Sequence, residues 1–400
     1  MTTDSANTPA SKPGRTALRF VLLLGVVSLF ADFAYEGSRS VLGPYLALMG
    51  ASAFVVGTVT GFGELVGYGL RLFSGPIADR TGKYWPITLL GYGIQMVAVP
   101  ALAFTHNWPE AAVLIVAERA GRAIRNPPKD AMLSHAGKEA GGVGWAFGLN
   151  EALDQTGALV GPLVMAAVLA LRHDYHLAFA VLALPAAITV TLMIVARLLY
   201  PRPQDLERKS SVPSPKGLPR AFWIYMAGAA FAGLGLADYP LIAYHFTRAH
   251  IVPGAWIAVF YAVAMATSGA GSLVFGKLFD RFGFKVLIAA SLIAAMFAPL
   301  VFLGGFWSAL AGAAVWGVAT GVFESIIPAA VTPMVAPERR ASVFGLFTAV
   351  YGTAWFAGSA LIGFLYDRSL TAVIVFCVVG ELAAAPFFIW AARKPNGDLR

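Results

Sequence analysis

Gly75-Pro-Ile-Ala-Asp79-Arg80-Thr-Gly82-Lys83 is a short charged stretch between two long apolar runs, and Gly276-Lys-Leu-Phe-Asp280-Arg281-Phe-Gly283-Phe-Lys285 repeats it. Asp, Arg, Gly and Lys recur in the same order, and Gly276 lies 201 residues after Gly75 in a chain of 400. A period of half the length is that of a whole bundle rather than of a small solenoid repeat. A second echo agrees: Phe147-Gly148-Leu149 and Phe344-Gly345-Leu346 each open an apolar run, at an offset of 197 residues. The chain is doubled.

Composition says in what solvent it is doubled. Hydrophobic residues make up 58% of the chain and charged residues 12%, against about 45–50% and about 25% in a soluble domain. The chain is therefore read as a membrane protein, and its net charge of +8 bears on topology rather than on nucleic acid, which is not expected as a partner. Cys377 is the single cysteine, so no internal disulfide and no cysteine metal cluster can form.

A span needs about 20 apolar residues. Twelve are expected, near 17–47, 52–77, 84–105, 110–136, 141–171, 176–200, 219–247, 253–279, 284–304, 306–334, 340–366 and 370–393. Residues 1–16 read as a disordered cytosolic tail rather than a cleavable signal peptide. Residues 201–218, with Pro201, Pro203, Pro213 and Pro215 among charges and serines, read as a cytosolic linker between bundles at 17–200 and 219–393, with a tail at 394–400. With the N-terminus inside, cytosolic segments hold 21 of the 29 Lys and Arg, and the outer loops only Arg172, Arg248 and Arg368. That bias places both termini in the cytoplasm.

Five arginines remain at membrane depth: Arg39, Arg71, Arg119, Arg122 and Arg125. Each costs roughly 2.5–3.5 kcal/mol at a helix centre, so each should face the interior and find an acid. Span one carries Asp32, Glu36 and Arg39 on one face; span two repeats the spacing with Glu64, Tyr68 and Arg71; span four has Glu118, Arg119, Arg122 and Arg125; span five has Asn150, Glu151 and Asp154. The second half offers less, namely Asp238, Tyr239 and His245 in span seven, Glu324 in span ten and Glu381 in span twelve.

Twelve spans in two halves, with G-x-x-x-D-R-x-G-x-K after span two and a copy after span eight, resemble the major facilitator superfamily of secondary transporters. The resemblance covers all but the two tails. Glu118-Arg119-Ala-Gly121-Arg122-Ala-Ile-Arg125 resembles the span-four pattern of proton-coupled members, and Gly157-Ala-Leu-Val-Gly161-Pro162 resembles the helix-packing pattern of drug:proton antiporters, without the usual second glycine pair after the proline. It implies an all-α membrane protein of twelve transmembrane helices in two pseudo-symmetric six-helix bundles.

The resemblance also implies roles. Gly75, Asp79, Arg80, Gly82 and Lys83, with Asp280, Arg281 and Gly283 in the copy, form gate latches; Asp79 would meet the start of span eleven near Ala341 and a cation such as Arg125 or Lys129. Asp32 and Arg119, at similar depth on facing spans, are expected to be the proton-coupling pair, with Glu36, Glu151 and Asp154 as further candidates. Arg39, Glu64, Arg71, Glu118, Arg122, Asp238, Tyr239 and Glu324 are expected to line a substrate cavity.

Other chemistry finds no support. No G-x-x-x-x-G-K-[ST] loop and no catalytic triad occur in the sequence, so neither ATP-driven pumping nor an enzyme is expected, and no cofactor. His245 lacks a second histidine at ligand spacing, and His173 and His176 flank Asp174 in a short outer loop, so no metal site is expected. The expectation is a monomeric bacterial inner-membrane transporter that exchanges protons for a small amphipathic or anionic organic compound. Proton-coupled uptake of a metabolite or organic anion, or of a metal or its chelate, is the alternative within transport; a non-transporting sensor or lipid-handling protein is the alternative outside it.

Overall fold

A computed structural model of the protein describes residues 12–137, 139–140, 143–202, 218, 220–331 and 340–393. They form fifteen α-helices and one short 3-10 turn, Leu102–Phe104. The first half comprises α1 (Lys12–Leu48), α2 (Ala53–Thr81), α3 (Tyr84–Ala101), α4 (Trp108–Gly137), α5 (Val143–Arg172), α6 (Tyr175–Val181) and α7 (Ala183–Leu199). The second comprises α8 (Arg220–Gly235), α9 (Tyr239–Arg248), α10 (Gly254–Phe282), α11 (Lys285–Ala294), α12 (Phe297–Leu303), α13 (Phe306–Val331), α14 (Arg340–Tyr366) and α15 (Leu370–Arg393).

Three spans are broken, so fifteen helices make twelve crossings: α6 with α7, α8 with α9, and α11 with α12. In each case a proline, Pro185, Pro240 or Pro299, stands in the first turn of the second helix, where its missing N–H costs no ladder bond. Eleven of the crossings are apolar enough to be recognised as spans by length and composition. The twelfth is α4, which carries Glu118, Arg119, Arg122, Arg125, Lys129 and Asp130 within one helix.

Helix α1 starts at Lys12 rather than at residue 17, with Pro13 in its first turn. The rest of the expected tails, 1–11 and 394–400, and residues 203–217 of the expected linker lie outside the described residues. The two echoing motifs are the C-termini of α2 and α10. Gly82 (φ 64°, ψ 7°) leaves the helix in the left-handed conformation and Gly283 at a positive φ of 59° with ψ −141°, and their N–H groups bond back to the carbonyls of Ala78 and Phe279 at 2.8 Å. A glycine is suited to that position because a Cβ would be strained there.

Within the first bundle α5 lies directly on α1. A Cβ at Gly157 would sit 2.1 Å from the Leu29 carbonyl oxygen, and one at Gly161 would sit 2.2 Å from that of Phe33. The Gly-x-x-x-Gly spacing is thus a backbone-to-backbone contact, the small-residue packing of membrane helices.

The halves meet at the end of the bundle away from Lys12 and Arg393. There Gly43 of α1 sits against the Pro240 carbonyl of α9, and Gly57 of α2 against that of Ser359 in α14. Asp367 caps α2 from the other half, accepting from the N–H groups of Ala53 (3.1 Å) and Phe54 (3.0 Å). At the opposite end, among the described residues, Gly75 meets only Pro127 of its own half and nothing stands within 4 Å of a Cβ at Gly276. At the Gly43 and Gly57 end the halves are sealed backbone to backbone, and a cavity lies behind that seal.

Candidate functional site

Two adjoining cavities of about 340 and 370 Å³ lie between the halves and share Arg39, Arg122, Glu151 and Asp154 in their walls. Asp32, Glu36 and Arg39, one face of α1, all reach this space, as do Glu64, Tyr68 and Arg71 of α2. The second half supplies an apolar and hydroxyl-bearing wall: Phe323, Phe347, Thr348 and Tyr351 on one side, Met265, Ser268 and Thr320 on the other.

Behind the wall the charges form a chain of alternating sign. Asp32 lies 3.5 Å from Arg125 and 3.8 Å from Arg122. Arg125 donates from Nε to Gln95 (2.6 Å) and from Nη1 to the Tyr92 hydroxyl (2.9 Å), and Gln95 donates onward to Glu118 (3.1 Å). Glu118 faces Arg119 at 3.6 Å, Arg119 faces Glu64 at 3.2 Å, and Glu64 faces Arg39 at 3.6 Å. Arg39 ends the chain on Asp238 of the second half, at 2.7 Å. Every link sits in low dielectric, where removing one charge leaves its partner uncompensated.

Aromatic rings complete the cations' surroundings. Arg119 and Arg122 stand 4.7 and 4.1 Å from the Tyr35 ring centre, and Arg125 stands 4.4 Å from that of Tyr92. A second polar run reaches the cavity from α4: Lys129 donates to Ser28 (3.1 Å), Ser28 to Asn150 (3.1 Å), and Asn150 to Asp154 (3.4 Å). Glu36 accepts from the Tyr261 hydroxyl of α10 at 2.5 Å, a second bond between the halves.

Several expected pairings change. Asp32 meets Arg122 and Arg125, not Arg119, because Arg119 stands toward α2, where Gly63 leaves it room; a Cβ there would lie 2.9 Å from the Arg119 side chain. Arg125, expected at a gate latch, turns its three guanidinium nitrogens to Gln95, Tyr92 and Asp32. Lys129 is likewise directed inward, to Ser28 and Asp130. Of the residues expected in the cavity wall, Arg39, Glu64, Arg71 and Arg122 are there, whereas Glu118 and Asp238 stand behind it and Tyr239 is fully buried, donating to the Ile257 carbonyl at 2.7 Å. The side chains of Asp79, Asp280, Glu324 and Ala341 lie outside the described residues; Arg80, Lys83 and Arg281 are exposed.

Tyr92 and Gln95 add to the expected set: two polar side chains three apart in a largely apolar α3 signal a shared buried partner. Asp174 caps α6, accepting from the N–H of His176 at 2.8 Å, and His245 bonds the Tyr366 hydroxyl at 2.8 Å. Among the described residues no group of three or more His, Cys, Asp or Glu could hold a metal.

The sequence matches the model of the Major Facilitator Superfamily over residues 24–282 and 223–400. The chain belongs to the Major Facilitator Superfamily. MFS proteins are secondary transporters, so this integral membrane protein is a transporter of a small-molecule substrate and not an enzyme. It is 39% identical over 394 residues to the uncharacterised protein Rv2265 of Mycobacterium tuberculosis, covering 97% of this chain and 96% of that one. It is 26% identical over 365 residues to the uncharacterised MFS-type transporter MJ1317 of Methanocaldococcus jannaschii, covering 87% and 89%. Among solved MFS structures, a mutant of the nucleoside transporter NupG superposes with a TM-score of 0.77 at 14% identity, covering 93% of this chain and 99% of that one.

Proposed function

We propose that the protein is a proton-coupled exporter of a small amphipathic or anionic organic compound in a bacterial inner membrane, with both termini in the cytoplasm. In that orientation the sealed end faces outward and the cavity is the inward-facing substrate site. The observation that carries the reading is the unbroken chain from Asp32 through Arg125, Gln95, Glu118, Arg119, Glu64 and Arg39 to Asp238.

Such a chain can couple a proton to a conformational change. Opening the outer end requires α1 to part from α9 and α10, which breaks Arg39–Asp238 and Glu36–Tyr261. A proton on Asp32 cancels the charge that holds Arg122 and Arg125, and a proton on Glu64 cancels the charge shared by Arg39 and Arg119. Either frees an arginine to seek another partner, so proton occupancy shifts the balance between the two packings. Asp32 with Arg122 and Arg125 is the coupling centre in this reading, with Glu36, Glu151 and Asp154, all in the cavity wall, as further proton sites. Gly157, Gly161 and Pro162 hold α5 on α1, so these helices move as one body.

The test is flux in proteoliposomes under an imposed proton gradient, with compounds first found by a thermal-shift screen. Antiport moves substrate against the proton flow, and Asp32→Asn abolishes the driven flux while leaving substrate–substrate exchange. Substrate moving with the protons, or flux indifferent to the gradient, overturns the export reading.

A further inference from the structure

Four of the five arginines at membrane depth have an acid: Arg39 has Glu64 and Asp238, Arg119 has Glu64 and Glu118, and Arg122 and Arg125 share Asp32. Arg71 does not. Among the described residues no carboxylate oxygen comes within 4.0 Å of its guanidinium, and its buried Nε has no hydrogen-bond partner. The nearby acids are committed elsewhere, Glu64 to two arginines and Asp130 to Lys129 at 3.7 Å. Yet Arg71 is part of the cavity wall. A cation kept at membrane depth without an acid is costly unless something that enters the cavity completes it.

What stands around Arg71 describes that something. Its guanidinium carbon is 5.2 Å from the centre of the Tyr68 ring, which meets Tyr351 edge-on at 6.0 Å, and Tyr351 stacks on Phe347 at 6.3 Å with 11° between the rings. Tyr68 and Arg71 come from the first half, Tyr351 and Phe347 from the second, and all four line the same cavity. A fork of N–H donors beside an aromatic wall suits a carboxylate or similar oxyanion on a flat apolar body.

We propose that Arg71 is the anion-binding residue of the substrate site, and that the substrate is a monoanion with a planar apolar body lying against Tyr68, Tyr351 and Phe347. The inference rests on the cavity being the transport site, and it narrows the substrate to one class. Because the ligand touches both halves, its occupancy bears on their relative movement.

Binding tests it without requiring transport. The purified protein in detergent is titrated with 1-naphthoate, neutral 1-naphthalenemethanol and cationic 1-naphthylmethylamine, following thermal stability and quenching of tryptophan emission. The anion should bind tightest. Arg71→Gln should weaken it by about 10- to 100-fold, the worth of a charge-assisted hydrogen bond, while leaving the alcohol unchanged, and Arg71→Lys should recover part of the loss. Should Arg71→Gln not fold, the wild-type preference for anion over alcohol and the Arg71→Lys titration carry the test. No preference for the anion in wild type, or equal binding by Arg71→Gln, overturns the proposal. Anion binding through Arg71 without proton-driven flux would instead sink the export reading and leave the site standing.

Discussion

Arg39 Nη2 lies 2.7 Å from Asp238 Oδ1, joining α1 to α9 across the two halves, with side-chain exposures of 7% and 0%. The same nitrogen is 3.6 Å from Glu64 in its own half. Arg39 therefore has an acid to hold on either side of the interface it would cross when the halves part. A pair so placed can be broken without stranding the cation.

Asp238→Asn should loosen the sealed end and leave Arg39 on Glu64. Removing one partner of a buried pair costs about 3–5 kcal/mol, here charged mainly to the sealed packing. Spin labels on His106→Cys and Arg368→Cys, both exposed at that end, read the separation; Cys377 is fully buried and does not compete for label. The distance distribution should broaden to longer values. An unchanged distribution would mean that Arg39–Asp238 does not hold the end shut.

The partner of Asp32 can be decided energetically. In double-mutant cycles on thermal stability, Asp32→Asn with Arg125→Gln should show a coupling of about 0.5–3 kcal/mol, the range for residues in one network. Asp32→Asn with Arg119→Gln should show less, since Arg119 faces Glu64 and Glu118. The reverse order would restore the pairing of Asp32 with Arg119.

Gly161→Val should damage the first bundle. Its Cβ would fall 2.2 Å from the Phe33 carbonyl oxygen, a backbone atom that cannot rotate away, and overpacking of this kind costs about 1–3 kcal/mol or more. Gly276→Ala, with nothing among the described residues within 4 Å, should leave melting temperature and monodispersity on size exclusion unchanged. Equal behaviour of the two variants would show that α5 does not need its close seat on α1.

The doubled architecture is legible in the chain because the Gly75 and Gly276 stretches are charged breaks in an apolar background, and such breaks locate helix ends directly. The faces of α1 and α2 are legible too, since spacing at i, i+4 and i+7 puts Asp32, Glu36 and Arg39, or Glu64, Tyr68 and Arg71, on one stripe whatever the neighbours are. Partnership is a different matter. Arg119, Arg122 and Arg125 lie close together on α4, and only the rotation of α4 among α1, α2 and α3 decides which of them meets Asp32. That rotation depends on where Gly63 leaves space on α2 and where Gln95 and Tyr92 stand on α3, and no local pattern in α4 records it.

The six charges that α4 carries between Glu118 and Asp130 have a consequence during synthesis. At roughly 2.5–3.5 kcal/mol per charge near the bilayer centre, this helix has no stable place in lipid by itself. The acids and dipoles that neutralise it from other helices of its half, Asp32, Glu64, Tyr92 and Gln95, all belong to helices translated earlier. When α4 leaves the ribosome its counter-charges are already waiting in the membrane, and it can enter as the closing member of a four-helix assembly rather than as a lone segment.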